Sequence, residues 1–253
     1  MLNYKSFGQG PPLIILHGLF GTLDNWQTLA KRWAEDYTVM LVDQRNHGRS
    51  PHLDTHSYPE MAADLADFME QEWIHEAFIL GHSMGGKTAM QLAIEHSDLI
   101  KALVVVDIGP QAYPGGHDTI FAALRSLDLS AINTRGEAEA HLAQYIDEAG
   151  VRQFLLKNLS RQREGGFRWK MNLEVLYKDY PRILEKIEGP AFSGPTLFIR
   201  GADSGYIRDQ DWPDAQILFP DAQLATVQNS GHWVHAEQPA VLFELVRDFL
   251  QKN

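Results

Sequence analysis

The stretch "AFILGHSMGGKTAMQLAIEH" (residues 77–96) decides how this chain reads. An apolar run stops at Gly81, a serine stands among glycines, and a helical pattern opens at Lys87. An ordinary strand-to-helix connection needs no such crowding of small residues. Two readings compete: Ser83 caps the following helix, or a sharp turn holds its hydroxyl where it can attack a substrate. Gly81-His82-Ser83-Met84-Gly85 fits G-x-S-x-G. In that pattern small neighbours let the chain pass close to itself through an unfavourable turn. The five residues alone arise often by chance, but a strand before them and a helix after them make the signal strong. A serine that only caps a helix predicts no partners elsewhere.

Outward from this point the same alternation repeats. "PLIILHG" (12–18), "TVMLVD" (38–43), "ALVVVD" (102–107), "PTLFIRG" (195–201) and "AQLATV" (222–227) are short apolar, β-branched runs. Between them lie helical patterns such as "DNWQTLAKRWAED", "SYPEMAADLADFMEQE" and the closing "PAVLFELVRDFLQ". Ser57 stands at the cap position of the second, with Pro59 early and Glu60 at capping-box distance. Continuous apolar strands interleaved with helices predict a mostly parallel sheet with helices on both faces. From Tyr113 to Pro190 no strong strand appears, only helical stretches bounded by "YPGG" and "EGPAFSGP". The expected organisation is a core of residues 1–112 and 191–253 interrupted by a helical cap, 113–190.

Composition narrows the function classes. The 253 residues with 44% hydrophobic content can bury a large core. Twenty-two basic against 33 acidic residues give a formal charge of −11, which argues against nucleic acid and anionic membranes as partners. The chain has no cysteine, so disulfides, thiol nucleophiles and thiolate metal sites are excluded. That absence suits a reducing cytoplasm, the expected location. No signal-peptide pattern opens the chain and no apolar run is long enough to span or insert into a membrane. No metal-ligand spacing and no cofactor motif is visible, so neither is expected; the oligomeric state is not encoded in any pattern.

In an open parallel sheet the ligand crevice lies at the carboxyl ends of the strands. His17-Gly18, Asp43, Ser83, Asp107 and Asp203 stand there. A serine nucleophile needs a base, and His232, in the loop "NSGHWVHAEQP" after the last strand, is placed to reach it. His235 competes from the same loop, but it is nearer the helix and lacks the preceding glycine. An oxyanion hole would use the backbone N–H of Met84, the residue after the serine, and of Leu19 in "HGLFG" (17–21). Alone, "HGLFG" reads as an ordinary glycine-rich turn.

With these parts in view, the chain resembles the α/β-hydrolase superfamily over nearly its whole length. "VDQRNHGRS" (42–50) resembles that superfamily's D-x-R-x-x-G-x-S turn, in which Asp43 and Arg45 organise a loop. "HGLFGTLDNW", "GHSMGGK", "DIGP", "LFIRG" and "GHWVHAEQP" are similar to the YbfF-type esterase group. The resemblance implies an α/β-hydrolase fold, hydrolysis of small-molecule carboxylic esters, and an extension to acyl thioesters. It leaves two candidates for the acid that orients the histidine. The commonest superfamily position falls on Asp203, whereas YbfF-type enzymes take it from the preceding strand, at Asp107. Asp107 is favoured, because an aspartate closing an apolar strand is costly unless a group such as a histidine N–H bonds it. The expectation is a serine esterase for short- to medium-chain acyl groups with Ser83, His232 and Asp107 as triad. Thioesterase, carbon–carbon hydrolase or lyase, lactonase, cofactor-free haloperoxidase and a hydrolase-like ligand receptor stay open. The cap aromatics Phe121, Tyr145, Phe154, Phe167, Trp169, Tyr177 and Tyr180 line an acyl pocket or simply pack the cap; the basic run "RQREGGFRWK" (161–170) meets an anionic substrate such as a coenzyme A phosphate or, the reading preferred, is a solvated turn.

Overall fold

Neighbouring residues of each apolar run point to opposite faces of one sheet, as the two-residue period of a strand requires. In the computed structural model, which describes residues 1–253, Leu13 and Ile15 pack on one side of the sheet and Ile14 and Leu16 on the other. The next strands repeat this, with Ala102, Val104 and Val106 on the first side and Leu103 and Val105 on the second. Each such fully buried aliphatic side chain contributes about 1.5–3 kcal/mol of apolar transfer energy.

The chain begins with β1 (Tyr4–Phe7) and β2 (Pro12–Leu16), then α1 (Gln27–Trp33), β3 (Thr38–Val42) and α2 (Tyr58–Gln71). Next come β4 (Ala77–His82), α3 (Met84–Glu95) and β5 (Ile100–Val106). A long excursion follows: α4 (Asp118–Ser126), α5 (Arg135–Leu142), α6 (Ala149–Leu156), β6 (Leu159–Arg161), β7 (Phe167–Trp169), α7 (Leu173–Lys178) and α8 (Tyr180–Leu184). The sheet resumes with β8 (Thr196–Gly201), α9 (Trp212–Leu218) and β9 (Ala222–Val227), and the chain ends in α10 (Val234–Glu237) and α11 (Pro239–Leu250). Strand order is β1-β3-β2-β4-β5-β8-β9; every pairing is parallel except β1 with β3. α1 and α11 cover one face through Trp33, Leu242 and Val246, and α2 and α3 cover the other through Leu65, Phe68 and Met90.

Three details differ from the sequence reading. β1, an antiparallel edge strand with two half-buried and two exposed residues, carries no apolar signal. The run "RQREGGFRWK" is the tip and second arm of a hairpin in which Ser160 faces Arg168 and Arg161 faces Phe167, with Gly165 and Gly166 turning the chain at positive φ. Ser57 is the residue before α2, yet its hydroxyl donates to the Glu60 carboxylate at 2.5 Å instead of capping a backbone N–H.

Candidate active site

Helix α3 starts at Met84, so Ser83 is the hinge between β4 and α3, with φ 53° and ψ −124°. A β-carbon on Gly81 would fall 2.2 Å from the Gly85 carbonyl oxygen, and one on Gly85 2.6 Å from the carbonyls of Leu16 and His17. Only glycine fits on either side of this turn, which explains the crowding in "GHSMGG". A non-glycine residue in such a conformation costs about 1–3 kcal/mol and persists only where its surroundings enforce it. The Ser83 side chain makes no helix-capping bond. Its Oγ lies 3.0 Å from His232 Nε2 instead, and its N–H donates to the Val106 carbonyl at 3.0 Å.

The opposite ring nitrogen, His232 Nδ1, lies 2.8 Å from Asp107 Oδ2. A carboxylate can only accept there, so the proton sits on Nδ1 and Nε2 is left to accept from the serine hydroxyl. Asp107 is fully buried at the end of β5, with φ 51°. Its other bonds come from the end of β8 and the loop after it: Gly201 N–H donates to Oδ1 at 3.0 Å and Ser204 Oγ–H to Oδ2 at 2.5 Å. The Tyr206 ring stacks on His232 at 4.0 Å and 19°, and His82 Nε2–H donates to the His232 carbonyl at 2.9 Å. Asp203 is exposed; its N–H donates to the Ser230 carbonyl at 2.9 Å and its carboxylate accepts no hydrogen bond. His235 stacks on Trp26 at 4.6 Å, and burial pushes its pKa down to about 4.

"HGLFG" abuts the serine. A β-carbon on Gly18 would stand 3.1 Å from Ser83 Cβ. The turn is fixed from several sides: His17 Nδ1–H donates to the Gly18 carbonyl at 2.9 Å, and Phe20 N–H donates to His47 Nε2 at 3.2 Å. Asn158 Nδ2–H reaches down to the Phe20 carbonyl at 2.6 Å. Phe20 itself holds φ 59°. Within this frame neither the Leu19 nor the Met84 N–H donates to any protein acceptor, and both residues border the cavity at Ser83. Burial lowers the pKa values of His17, His47 and His82 and keeps these rings neutral, as acceptors and donors with fixed tautomers. Asp43 accepts from Leu23 N–H and Arg49 N–H, and Arg45 forms a two-pronged pair with Asp64, so both organise loops.

The cavity at Ser83 measures about 370 Å³ and is walled mainly by apolar side chains. The sheet side supplies Leu19, Phe20 and Ile108; the helical block supplies Ile120, Val151, Phe154, Leu155, Ile183 and Leu184. Of the aromatic residues singled out in the sequence, Phe154 and Tyr180 reach the cavity. Phe121 is fully buried, Trp169 borders a separate polar groove, and Tyr177 is exposed. Tyr180 Oη and His117 Nδ1 are 2.6 Å apart, forming a polar spot on the block's side of the wall. Nowhere do three histidine, aspartate or glutamate side chains converge as metal ligands. Ser204, Tyr206 and His82 are the site residues that sequence reading missed. Only "GADSG", a small polar residue three positions beyond a strand end, hinted at Ser204.

Comparison with known proteins agrees with this geometry. The profile of the family described as alpha/beta hydrolase fold matches residues 11–239. Esterase YbfF of Escherichia coli is 41% identical over 240 residues, covering 94% of this chain and 92% of that one. The mouse sn-1-specific diacylglycerol lipase ABHD11 is 40% identical over 249 residues, covering 95% and 81%. Among solved structures, a marine microorganism esterase superposes with a TM-score of 0.96 at 44% identity, covering 98% of each chain. The glycine-flanked turn at Ser83, the parallel sheet that carries it and the matched length lead to one assignment: the chain belongs to the α/β-hydrolase family.

Proposed function

We propose that the protein is a serine esterase that hydrolyses short- to medium-chain acyl esters of small molecules through an acyl-enzyme. Ser83 Oγ attacks the ester carbonyl carbon while its proton passes to His232 Nε2. Asp107, accepting from Nδ1–H, orients the ring and stabilises the imidazolium that forms. The carbonyl oxygen, now an alkoxide, accepts from the Leu19 and Met84 N–H groups, and donors of this kind contribute about 3–4 kcal/mol each to lowering a barrier. As the tetrahedral intermediate collapses, the carbon–oxygen bond to the alcohol breaks and His232 returns the proton to the leaving oxygen. Water then repeats the sequence: His232 takes its proton, hydroxide adds to the acyl carbon, and Ser83 leaves with the proton restored. Residues 113–190 act as a cap that supplies the acyl-binding wall.

The single observation that carries this reading is the unbroken line Ser83 Oγ to His232 Nε2, 3.0 Å, and His232 Nδ1 to Asp107 Oδ2, 2.8 Å, on the wall of a mainly apolar cavity. Esterase names among relatives covering almost the whole chain support the same chemistry. No helix is long and apolar enough to cross a membrane. A cytoplasmic location rests on the cysteine-free composition alone. The test is Ser83→Ala with folding checked by circular dichroism. We expect loss of p-nitrophenyl butyrate hydrolysis by about six orders of magnitude, as for other triad nucleophiles, and loss of labelling by a fluorophosphonate. A folded Ser83→Ala protein with wild-type turnover overturns the assignment.

A further inference from the structure

Four positions beyond Ser83 on α3 lies a lysine that the reaction does not use. Lys87 is 1% exposed, and its backbone N–H donates to the Ser83 carbonyl at 3.1 Å. No carboxylate lies within ion-pair reach of its amine. Nζ instead donates to two backbone carbonyls, that of Gln111 at 2.8 Å and that of Glu185. These two residues are far apart in sequence and adjacent in space. Gln111 stands where the chain leaves the sheet for the helical block, and Glu185 where the block's last helix ends. The two segments also bond each other directly, Tyr113 N–H to the Leu184 carbonyl at 2.9 Å and Ile187 N–H to the Pro110 carbonyl at 2.7 Å. The Gln111 and Glu185 carbonyls left outside that pairing are the ones Lys87 collects.

Burying an amine without a counter-ion is expensive, and hydrophobic residues fill such a position at less cost. A plain packing role would therefore not select lysine. A neutral amine has two N–H bonds, one for each carbonyl. The charged form has a third, and the rings of Tyr113 and Tyr58, centred 4.9 and 5.5 Å from Nζ, are within reach of its charge. The hinge also connects to the base. Gln111 Nε2–H and Tyr113 Oη–H both donate to the Tyr206 carbonyl, at 3.0 and 2.8 Å, and the Tyr206 ring is the one stacked on His232.

We propose that Lys87 is a positioning residue for the ester hydrolysis assigned above: its amine ties both hinges of the helical block to the helix that carries Ser83, and so sets how far the acyl-binding wall stands from the nucleophile. The inference rests on the serine-esterase reading for its catalytic half, while the hinge contact itself is measurable without turnover. Burial pushes the Lys87 amine down to about 7, partly offset by the Glu185 charge. The other titratable side chains beside it, Tyr58 and Tyr113, are pushed by burial further above the neutral range. An opening that exposes the amine to water returns it to the ordinary lysine range, so the open state binds the extra proton. Raising pH from about 7 to 9 therefore favours the closed hinge, by up to about tenfold per pH unit.

Amide hydrogen exchange on the whole protein, corrected for intrinsic rates, tests this together with ester kinetics. We expect exchange at Tyr113 and Ile187 to be faster by tenfold or more in Lys87→Met, and their protection to rise between pH 7 and 9 in wild type but not in the variant. We expect KM for p-nitrophenyl hexanoate to rise about tenfold in Lys87→Met with kcat for the acetate ester within threefold, and Lys87→Arg to recover part of the hinge protection. Unchanged exchange and an unchanged acyl-length profile in Lys87→Met overturn the proposal. If that variant fails to fold, Lys87→Gln, whose amide can reach one of the two carbonyls, takes its place: hinge exchange within twofold of wild type overturns the proposal. Hinge protection that responds as expected in a protein without Ser83-dependent turnover would instead sink the esterase reading and leave the tie in place.

Discussion

At the ends of β4 and β5 two residues with side chains, Ser83 and Asp107, hold left-handed backbones with φ near 50°, and Phe20 beside them holds 59°. In the helical block above, every positive φ between residues 110 and 190 belongs to a glycine: Gly115, Gly116, Gly165, Gly166 and Gly189. The two regions face the same cavity, yet one stores strain and the other avoids it. Strain of this kind survives only where neighbours over-determine it, and at the strand ends they do. Asp107 is pinned by Gly201 N–H, Ser204 and His232, and the Phe20 turn by His47 and Asn158. The block's side of the cavity wall is mostly aliphatic and aromatic, with the Tyr180–His117 pair as its polar spot, and no strained backbone there needs such a frame. Under the proposed function, that difference divides reaction geometry at the strand ends from substrate fit in the block, and each half of the division can be broken separately.

The largest effect should come from the strained carboxylate. Asp107→Asn keeps the size of the side chain but removes the charge that stabilises imidazolium and favours the wrong tautomer. In a serine triad that loss reaches about four orders of magnitude in kcat. Asp203→Asn, on an exposed side chain with no hydrogen-bonded partner, should leave the rate within about threefold, since surface substitutions of this kind rarely matter. The two variants assayed side by side on a butyrate ester check this. A crippled Asp203→Asn beside an active Asp107→Asn would detach the strained backbone from the chemistry.

How far these residues were legible before the structure follows from what fixes each of them. Ser83, His232 and Asp107 are close to strand ends, and a strand end is a sequence feature: an apolar run that stops. The sheet itself was legible for the same reason, apart from β1, whose "YKSF" is a short edge strand without an apolar face. Ser204 and Tyr206 were not legible. Their role depends on the loop after β8 folding back under Asp107 and over His232, and no local pattern encodes that return. The hairpin of β6 and β7 was hidden because its strands are three residues each, too short for alternation to show. Lys87 could be read only as one polar residue in a helix, since the two carbonyls it collects are 24 and 98 positions away.

A second test concerns the frame around the strained turns. His82, His47 and His17 are buried and held neutral, and so is the half-buried His235, whose Nδ1 is enclosed; their pKa values lie below the ordinary histidine range, with His235 near 4. The unfolded chain takes up protons at these rings from about pH 6.5 downward, while the folded protein does not. Their contribution to stability is therefore complete above pH 6.5 and declines as pH falls toward 4, by up to about 3 kcal/mol for His235. Urea titrations at pH 7, 6, 5 and 4 should show that decline. His235→Phe, which can keep the stack on Trp26, should flatten part of it. An identical pH slope in the variant would mean that the ring is not held neutral by its burial, and the frame would be looser than the geometry indicates.

The smallest effect belongs to the block. Phe154 projects from α6 to the cavity wall, its ring 5.8 Å from that of Trp233. Phe154→Ala removes apolar surface that an acyl chain would cover, and one methylene's worth of burial is about 0.8 kcal/mol, or roughly fourfold in affinity. If the block governs fit and not chemistry, the loss should appear in KM, grow with acyl length, and spare the reaction step. We expect kcat for a p-nitrophenyl acetate ester to stay within twofold, and the hexanoate-to-acetate ratio of kcat/KM to shift by about four- to tenfold. Either direction of that shift keeps the division intact: a decrease if the ring contacts the chain, an increase if it blocks a deeper space. A uniform drop in kcat across acetate, butyrate and hexanoate would break it, because a strain-free wall would then be shaping the transition state that the proposed mechanism gives to the strained turns at Ser83 and Asp107.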